Sequence, residues 1–122
     1  MERNDHQSKI NMHIVRGCLV VPIQTELYDE VLIRIQKDIL EKIKETGLKK
    51  VIIDLSGVNI IDSFFIQTIS NVARMISLLG ATTTLTGLAP GAVASMIDLG
   101  LELADVHIAR TLELGFNFLE SA

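Results

Sequence analysis

The chain has 122 residues and a formal net charge of −4, with 48% hydrophobic and 21% charged residues. These proportions fit one ordinary globular domain and are unlike those of a disordered chain. No apolar run approaches the ~20 residues that span a bilayer, and no basic stripe could follow a nucleic-acid backbone. The composition therefore predicts a cytoplasmic protein that binds neither membranes nor nucleic acids.

The N-terminal part predicts a polar, flexible tail followed by two strands. The tail covers 1–11, and the segments 12–15 and 18–23 form the strands around a tight turn. Pro22 lacks an amide donor, so it indicates either an edge strand or the end of a strand. Cys18 is the single cysteine and lies in an apolar run, which favours a buried small side chain over a reactive thiol.

The next segment has the period of an amphipathic helix. Apolar residues recur every four positions from Leu27 to Ile43, and Gly47 follows as a stop signal. The opposite face is charged and is expected to be exposed to solvent.

A continuous apolar strand, 51–55, and a second helix follow. Asp62 is a good N-cap for a helix that reaches about Leu79. The apolar face of this helix is formed by Phe65, Ile69, Val72, Ile76 and Leu79. The remainder predicts a strand, a helix, a short strand and a last helix, at 82–86, 90–99, 106–108 and 111–119. The resulting order, ββαβαβαβα, predicts an α/β fold with a mixed, mostly parallel sheet flanked by helices.

In such folds, functional groups occupy the loops at the carboxyl ends of the strands. A serine hydrolase is disfavoured because no Gly-x-Ser-x-Gly elbow is present, and a metal site because the histidines lack ligand spacing. The turn 87–91 joins a strand to a helix N-terminus and leaves a nucleotide site open, although it has no phosphate-binding lysine.

Ser63 follows Asp62 at the start of the second helix, and two interpretations are open. The serine could cap the helix, or its hydroxyl could accept a phosphate. A phosphate would add about −1.5 to −2 charges at pH 7, which the positive end of the helix dipole tolerates. Phosphorylation could thus change binding without unfolding the domain.

Three segments resemble the STAS domains of bacterial anti-sigma-factor antagonists. They are 51–64, with the sequence Asp-Ser-Phe at its end, then 85–90 and 97–101. The similarity begins at about Met12 and implies a single STAS domain over 12–122. Within the family, the Asp-Ser-Phe form and the Leu-Thr-Gly-x-x-Pro segment are most similar to the single-domain scaffold subunits of the stressosome.

This resemblance implies a scaffold rather than an enzyme, with no cofactor and no metal. It implies a large assembly with RsbR-like STAS paralogues, binding of an RsbT-like serine/threonine switch kinase, and reversal by a PP2C-type phosphatase. Ser63 falls on the phosphorylation position. An alternative is a direct anti-sigma-factor antagonist that acts outside a large particle. The remaining members of the implied switch region are Asp62, Asp54, Phe64, Thr86, Gly87 and Ser95.

Overall fold

The computed structural model describes residues 11–23, 29–58, 61–98 and 106–121. Most of the predicted tail, 1–10, lies outside these ranges. Within them the chain forms, in order, β1 (His13–Val15), β2 (Cys18–Pro22), α1 (Asp29–Thr46), β3 (Lys50–Asp54), α2 (Ser63–Leu78), β4 (Thr82–Thr86), α3 (Pro90–Asp98), β5 (Val106–Ala109) and α4 (Leu112–Ser121). The predicted element order and the α/β fold class are confirmed.

The five strands form one sheet in the order β1-β2-β3-β4-β5. β1 pairs antiparallel with β2, and the other three neighbouring pairs are parallel. The predicted sheet, mixed but mostly parallel, is therefore correct. Pro22 ends β2, which is an inner strand, so the second of the two interpretations of this proline holds.

The side chains of β3 alternate between two cores. Val51 and Ile53 belong to the larger core, beneath α1, α2 and α3, whereas Ile52 packs with Phe116 and Leu119 of α4 on the opposite face. All three β3 side chains are fully buried. This two-sided burial explains why the strand is a continuous apolar run instead of an alternating one.

α2 ends within one residue of its predicted end, but its last predicted apolar side chain is not buried. The helix stops at Leu78, and the side chain of Leu79, expected on the apolar face, is 42% exposed. Gly80 has a φ of +86°, a left-handed conformation that ends the helix. Because the chain turns at Gly80, the Leu79 side chain does not join the buried face of α2 to which Phe65 belongs.

Two basic residues, one in the β1–β2 turn and one in β3, form hydrogen bonds to α4. The Arg16 guanidinium donates two hydrogen bonds to Glu120, with N–O distances of 2.7 and 2.6 Å, and lies 4.7 Å from the centre of the Phe116 ring. Lys50 Nζ donates to the Leu119 carbonyl at 2.8 Å. Cys18 is fully buried, as predicted, and this burial raises the pKa of its thiol.

Candidate functional site

Asp62 and Ser63 have separate roles at the N-terminus of α2. Asp62 is the N-cap residue, with extended backbone angles, and its Oδ1 accepts a hydrogen bond from the Phe65 amide at 2.8 Å. Ser63 is the first residue of the helix and is exposed. Its hydroxyl has no hydrogen-bond partner among the described residues. The capping role that was open for Ser63 is therefore filled by Asp62, as the sequence predicts for that aspartate.

The residues after Ser63 anchor the helix and leave one aromatic ring exposed. Phe65 and Ile66 are buried in the larger core. Phe64 points outward and is 48% exposed. The serine hydroxyl and an apolar ring are thus adjacent in sequence at the exposed beginning of a helix whose next residues are buried.

Asp54 and Thr86 meet at the carboxyl ends of two neighbouring strands. Thr86 Oγ1 donates to Asp54 Oδ1 at 2.7 Å, and Ser56 Oγ donates to Asp54 Oδ2 at 2.7 Å. Thr86 is fully buried. Its hydroxyl therefore acts inside the domain, on Asp54, and is not presented to a partner. Ser56 was not among the residues singled out from the sequence.

Gly87 brings two loops into close contact. Its φ is +81°, and a Cβ at this position would lie 2.6 Å from the Ser56 amide nitrogen. Its own amide donates to the Arg110 carbonyl at 3.2 Å. A side chain does not fit here, so glycine is required both by the backbone conformation and by the approach of the Ser56 backbone.

A groove of about 240 Å³ lies beside this network. The described residues that line it carry no basic side chain: Leu55, Val58, Ile61, Leu88, Ala89, Gly91, Ala92 and Ser95. Ser95 is exposed on α3, and its hydroxyl donates to the Gly91 carbonyl at 3.0 Å. Such a lining offers no charge to nucleotide phosphates, which weakens the nucleotide interpretation of the 87–91 turn.

The predicted switch residues lie in three separate places in the structure. Asp54 and Thr86 belong to one hydrogen-bonded network with Ser56, and Gly87 packs closely against the Ser56 backbone. Asp62, Ser63 and Phe64 begin α2, whereas Ser95 stands apart in the groove lining. Among the described residues, no group of three His, Cys, Asp or Glu side chains could hold a metal ion.

No helix within the described ranges is both long enough and apolar enough to cross a membrane.

Comparison with known proteins identifies the family. The model of the STAS domain matches residues 9–114. The chain belongs to the STAS domain family. The fold and the three segments that resemble this family agree with the match.

Two solved structures share the fold of this STAS domain at a TM-score of 0.80. One is a serine-to-glutamate variant of RsbS from Moorella thermoacetica, 27% identical, with coverage of 93% of this chain and 97% of that chain. The other is a chain from a structure of the stressosome. It is 28% identical, with coverage of 91% of this chain and 96% of that chain. This STAS domain is therefore similar, over nearly the whole of both chains, to proteins of the stressosome.

A curated relative is longer than this STAS domain. The RsbT co-antagonist protein RsbRA of Bacillus subtilis (strain 168) is 27% identical over 102 residues, which are 84% of this chain and 37% of RsbRA. A second co-antagonist of the same organism, RsbRD, is 28% identical over 101 residues, which are 36% of its length. This STAS domain thus spans little more than a third of the curated co-antagonists that it matches.

Proposed function

We propose that this STAS domain is a non-catalytic scaffold subunit of a stressosome. In this proposal it holds an RsbT-like switch kinase and releases it when Ser63 is phosphorylated. The exposed, unbonded Ser63 hydroxyl carries the proposal, because Asp62 caps the helix in its place and leaves the serine without a structural hydrogen bond. The similarity to RsbS and to the stressosome structure supports the scaffold role.

Phosphorylation at Ser63 would change the surface more than the fold. A phosphate adds about −1.5 to −2 charges, and the N-terminus of α2 offers unpaired amides and the positive end of the helix dipole. The carboxylate of Asp62 stands next to the phosphate and adds to the local negative charge. A partner surface that is acidic or apolar, and that contacts Phe64, would be repelled while α2 remains folded.

Assembly with RsbR-like paralogues is supported by the similarity to the co-antagonists RsbRA and RsbRD. The described part of the surface offers apolar side chains for such contacts. Those more than half exposed are Ile14, Ile33, Leu78 and Ile97. In this proposal the kinase transfers the γ-phosphoryl group of ATP to Ser63 and leaves ADP, a PP2C-type phosphatase hydrolyses the phosphoserine, and the particle acts in the cytoplasm.

The phosphorylation site is tested with the RsbT-like kinase of the same organism and ATP. Intact-mass analysis should show one added phosphate on the wild type and on Ser95→Ala, an exposed serine used as the matched control. Ser63→Ala should gain none. A dominant phosphate on Ser63→Ala would contradict the assignment of the site.

Release of the kinase is tested by titration calorimetry. Ser63→Asp should keep the circular dichroism spectrum of the wild type and bind the kinase more weakly. Ser63→Asn has the same shape without the charge and should bind like the wild type. Equal affinity of the Asp and Asn variants would refute an electrostatic release.

The alternative, a direct antagonist outside a large particle, is separated from the scaffold by size. Light scattering on a size-exclusion column should detect a large co-assembly with an RsbR-like partner. A mixture that remains at the sizes of the separate proteins would favour the direct antagonist.

A further inference from the structure

A hydrogen-bond network, buried at Thr86 and exposed at Ser56, connects the α4 side of the sheet with the turn that precedes α2. Asp54, at the end of β3, accepts hydrogen bonds from Thr86 of β4 and from Ser56 of the turn, each at 2.7 Å. The Leu55 amide donates to the Thr86 carbonyl at 2.8 Å, and the Val58 amide closes the turn on the Leu55 carbonyl at 3.0 Å. Thr86 is thus joined to the turn directly by its backbone and, through Asp54, by its side chain.

The other branch of the Thr86 side chain contacts α4. A Cβ added to Gly115 would lie 2.9 Å from Thr86 Cγ2. Because the helix backbone approaches so closely, the methyl group occupies the space against Gly115 while the hydroxyl is held on Asp54. A rotation of the Thr86 side chain would move its methyl group off Gly115 and break the hydrogen bond to Asp54.

The turn and the first turn of α2 share one apolar packing site. Leu55, Ile61, Phe65 and Leu88 line the same small void in the larger core, about 10 Å³ in volume. Leu88 follows Gly87, whose backbone touches Ser56. A shift of the Asp54 network would therefore be transmitted through these side chains to Phe65, two residues after Ser63.

We propose that Thr86 and Asp54 are positioning residues for the phosphorylation of Ser63. Their hydrogen bond fixes the 55–58 turn and the β4 end, and these hold the beginning of α2 in the orientation that the kinase requires. This inference rests on the proposed function. It assigns Thr86 a part in presenting the phosphate acceptor to the kinase, although Thr86 itself contacts no partner.

The neighbouring Thr84 supplies a matched control. It lies on the same strand and the same face, is fully buried, and has its Cγ2 3.6 Å from a Cβ built on Gly115. Its hydroxyl has no hydrogen-bond partner among the described residues. Thr84→Val therefore removes a buried hydroxyl under α4 without breaking a hydrogen bond, whereas Thr86→Val removes the bond to Asp54.

The first experiment measures single-turnover phosphorylation at saturating RsbT-like kinase. Thr86→Val should lower the rate constant about tenfold, as displaced reacting groups do, and leave the dissociation constant of the kinase unchanged. Thr86→Ser keeps the hydroxyl and should react like the wild type, as should Thr84→Val. A Thr86→Val rate equal to that of Thr84→Val, or a Thr86→Ser rate as low as that of Thr86→Val, would overturn the positioning role.

The second experiment needs no kinase. Amide hydrogen exchange at Leu55 and Val58 should be faster in Thr86→Val than in Thr84→Val by about fivefold, the factor that corresponds to one net hydrogen bond. Equal exchange in both variants would overturn the inference even where Ser63 is phosphorylated normally. A wild-type chain that takes no phosphate would instead overturn the proposed function, and the positioning role with it.

Discussion

Replacement of Gly87 by alanine should be one of the most damaging additions of a single methyl group to this STAS domain. Gly87 has a φ of +81°, and a Cβ there would lie 2.6 Å from the amide nitrogen of Ser56 and 2.9 Å from its Cα. These are backbone atoms of a residue whose side chain is held by Asp54. They cannot swing aside as a flexible side chain would.

The cost can be separated into two parts. The left-handed backbone costs a residue with a Cβ about 1–2 kcal/mol, which the lower entropy of the unfolded alanine chain offsets by about 0.4–1 kcal/mol. The steric contact adds about 1–3 kcal/mol. Gly87→Ala should therefore lower the free energy of unfolding by about 3 kcal/mol.

Gly47 provides the control for the backbone part. Its φ is +72°, and a Cβ there would meet no atom within 4 Å. Gly47→Ala should lower the free energy of unfolding by only about 1 kcal/mol. Urea denaturation of both variants and the wild type gives the difference directly, provided that the m-values agree. A loss in Gly87→Ala no larger than that in Gly47→Ala would refute the steric argument.

Three further changes test the cap, the buried hydroxyl and the surface ion pair. Asp62→Ala should lower the free energy of unfolding in urea by about 1 kcal/mol because the Phe65 amide loses its acceptor, whereas Asp62→Asn should retain most of it. Thr84→Val should raise the free energy of unfolding by about 1 kcal/mol, since it removes a buried hydroxyl that no described residue bonds, and a lower melting temperature would contradict this. Hydrogen bonding to Arg16 lowers the pKa of the Glu120 carboxyl from its ordinary value. The contribution of this carboxylate to stability is therefore present above the ordinary pKa of a glutamate and is lost as the pH falls through the lower pKa of the folded state. The difference in urea midpoint between wild type and Glu120→Gln should therefore disappear in acid, and a difference that is independent of pH would exclude the ion pair as its source.

Local signals in the sequence predicted the elements well. Asp62 before an apolar helical period specified the start of α2, because capping depends on residues only three positions apart. The segment Thr82 to Thr86 was recognised as a strand because four of its five residues are threonines, which are β-branched. The end of α2 was predicted to within one residue, but the expected burial of Leu79 was wrong, since an apolar residue just before a terminating glycine fits the period whether or not it is inside the helix.

The contacts between distant segments could not be predicted in the same way. The bond from Thr86 to Asp54 depends on which strands are neighbours and on their register, and neither is encoded in a local pattern. The approach of Gly115 to Thr86 depends in addition on which face α4 covers. At the candidate site, physical reasoning placed Ser63 at a helix N-terminus, but the resemblance to STAS domains was needed to prefer phosphorylation over capping.

Because α4 covers Cys18, the accessibility of this thiol reports when α4 docks during folding. α4 packs on Ile52 and on Cys18 itself, so the surface that it covers is complete only when β2 and β3 are paired. The thiol beneath it is the single one in the chain. A thiol reagent added at successive times during refolding would therefore label Cys18 only before α4 docks. The time at which labelling is lost would give the time at which the smaller core forms.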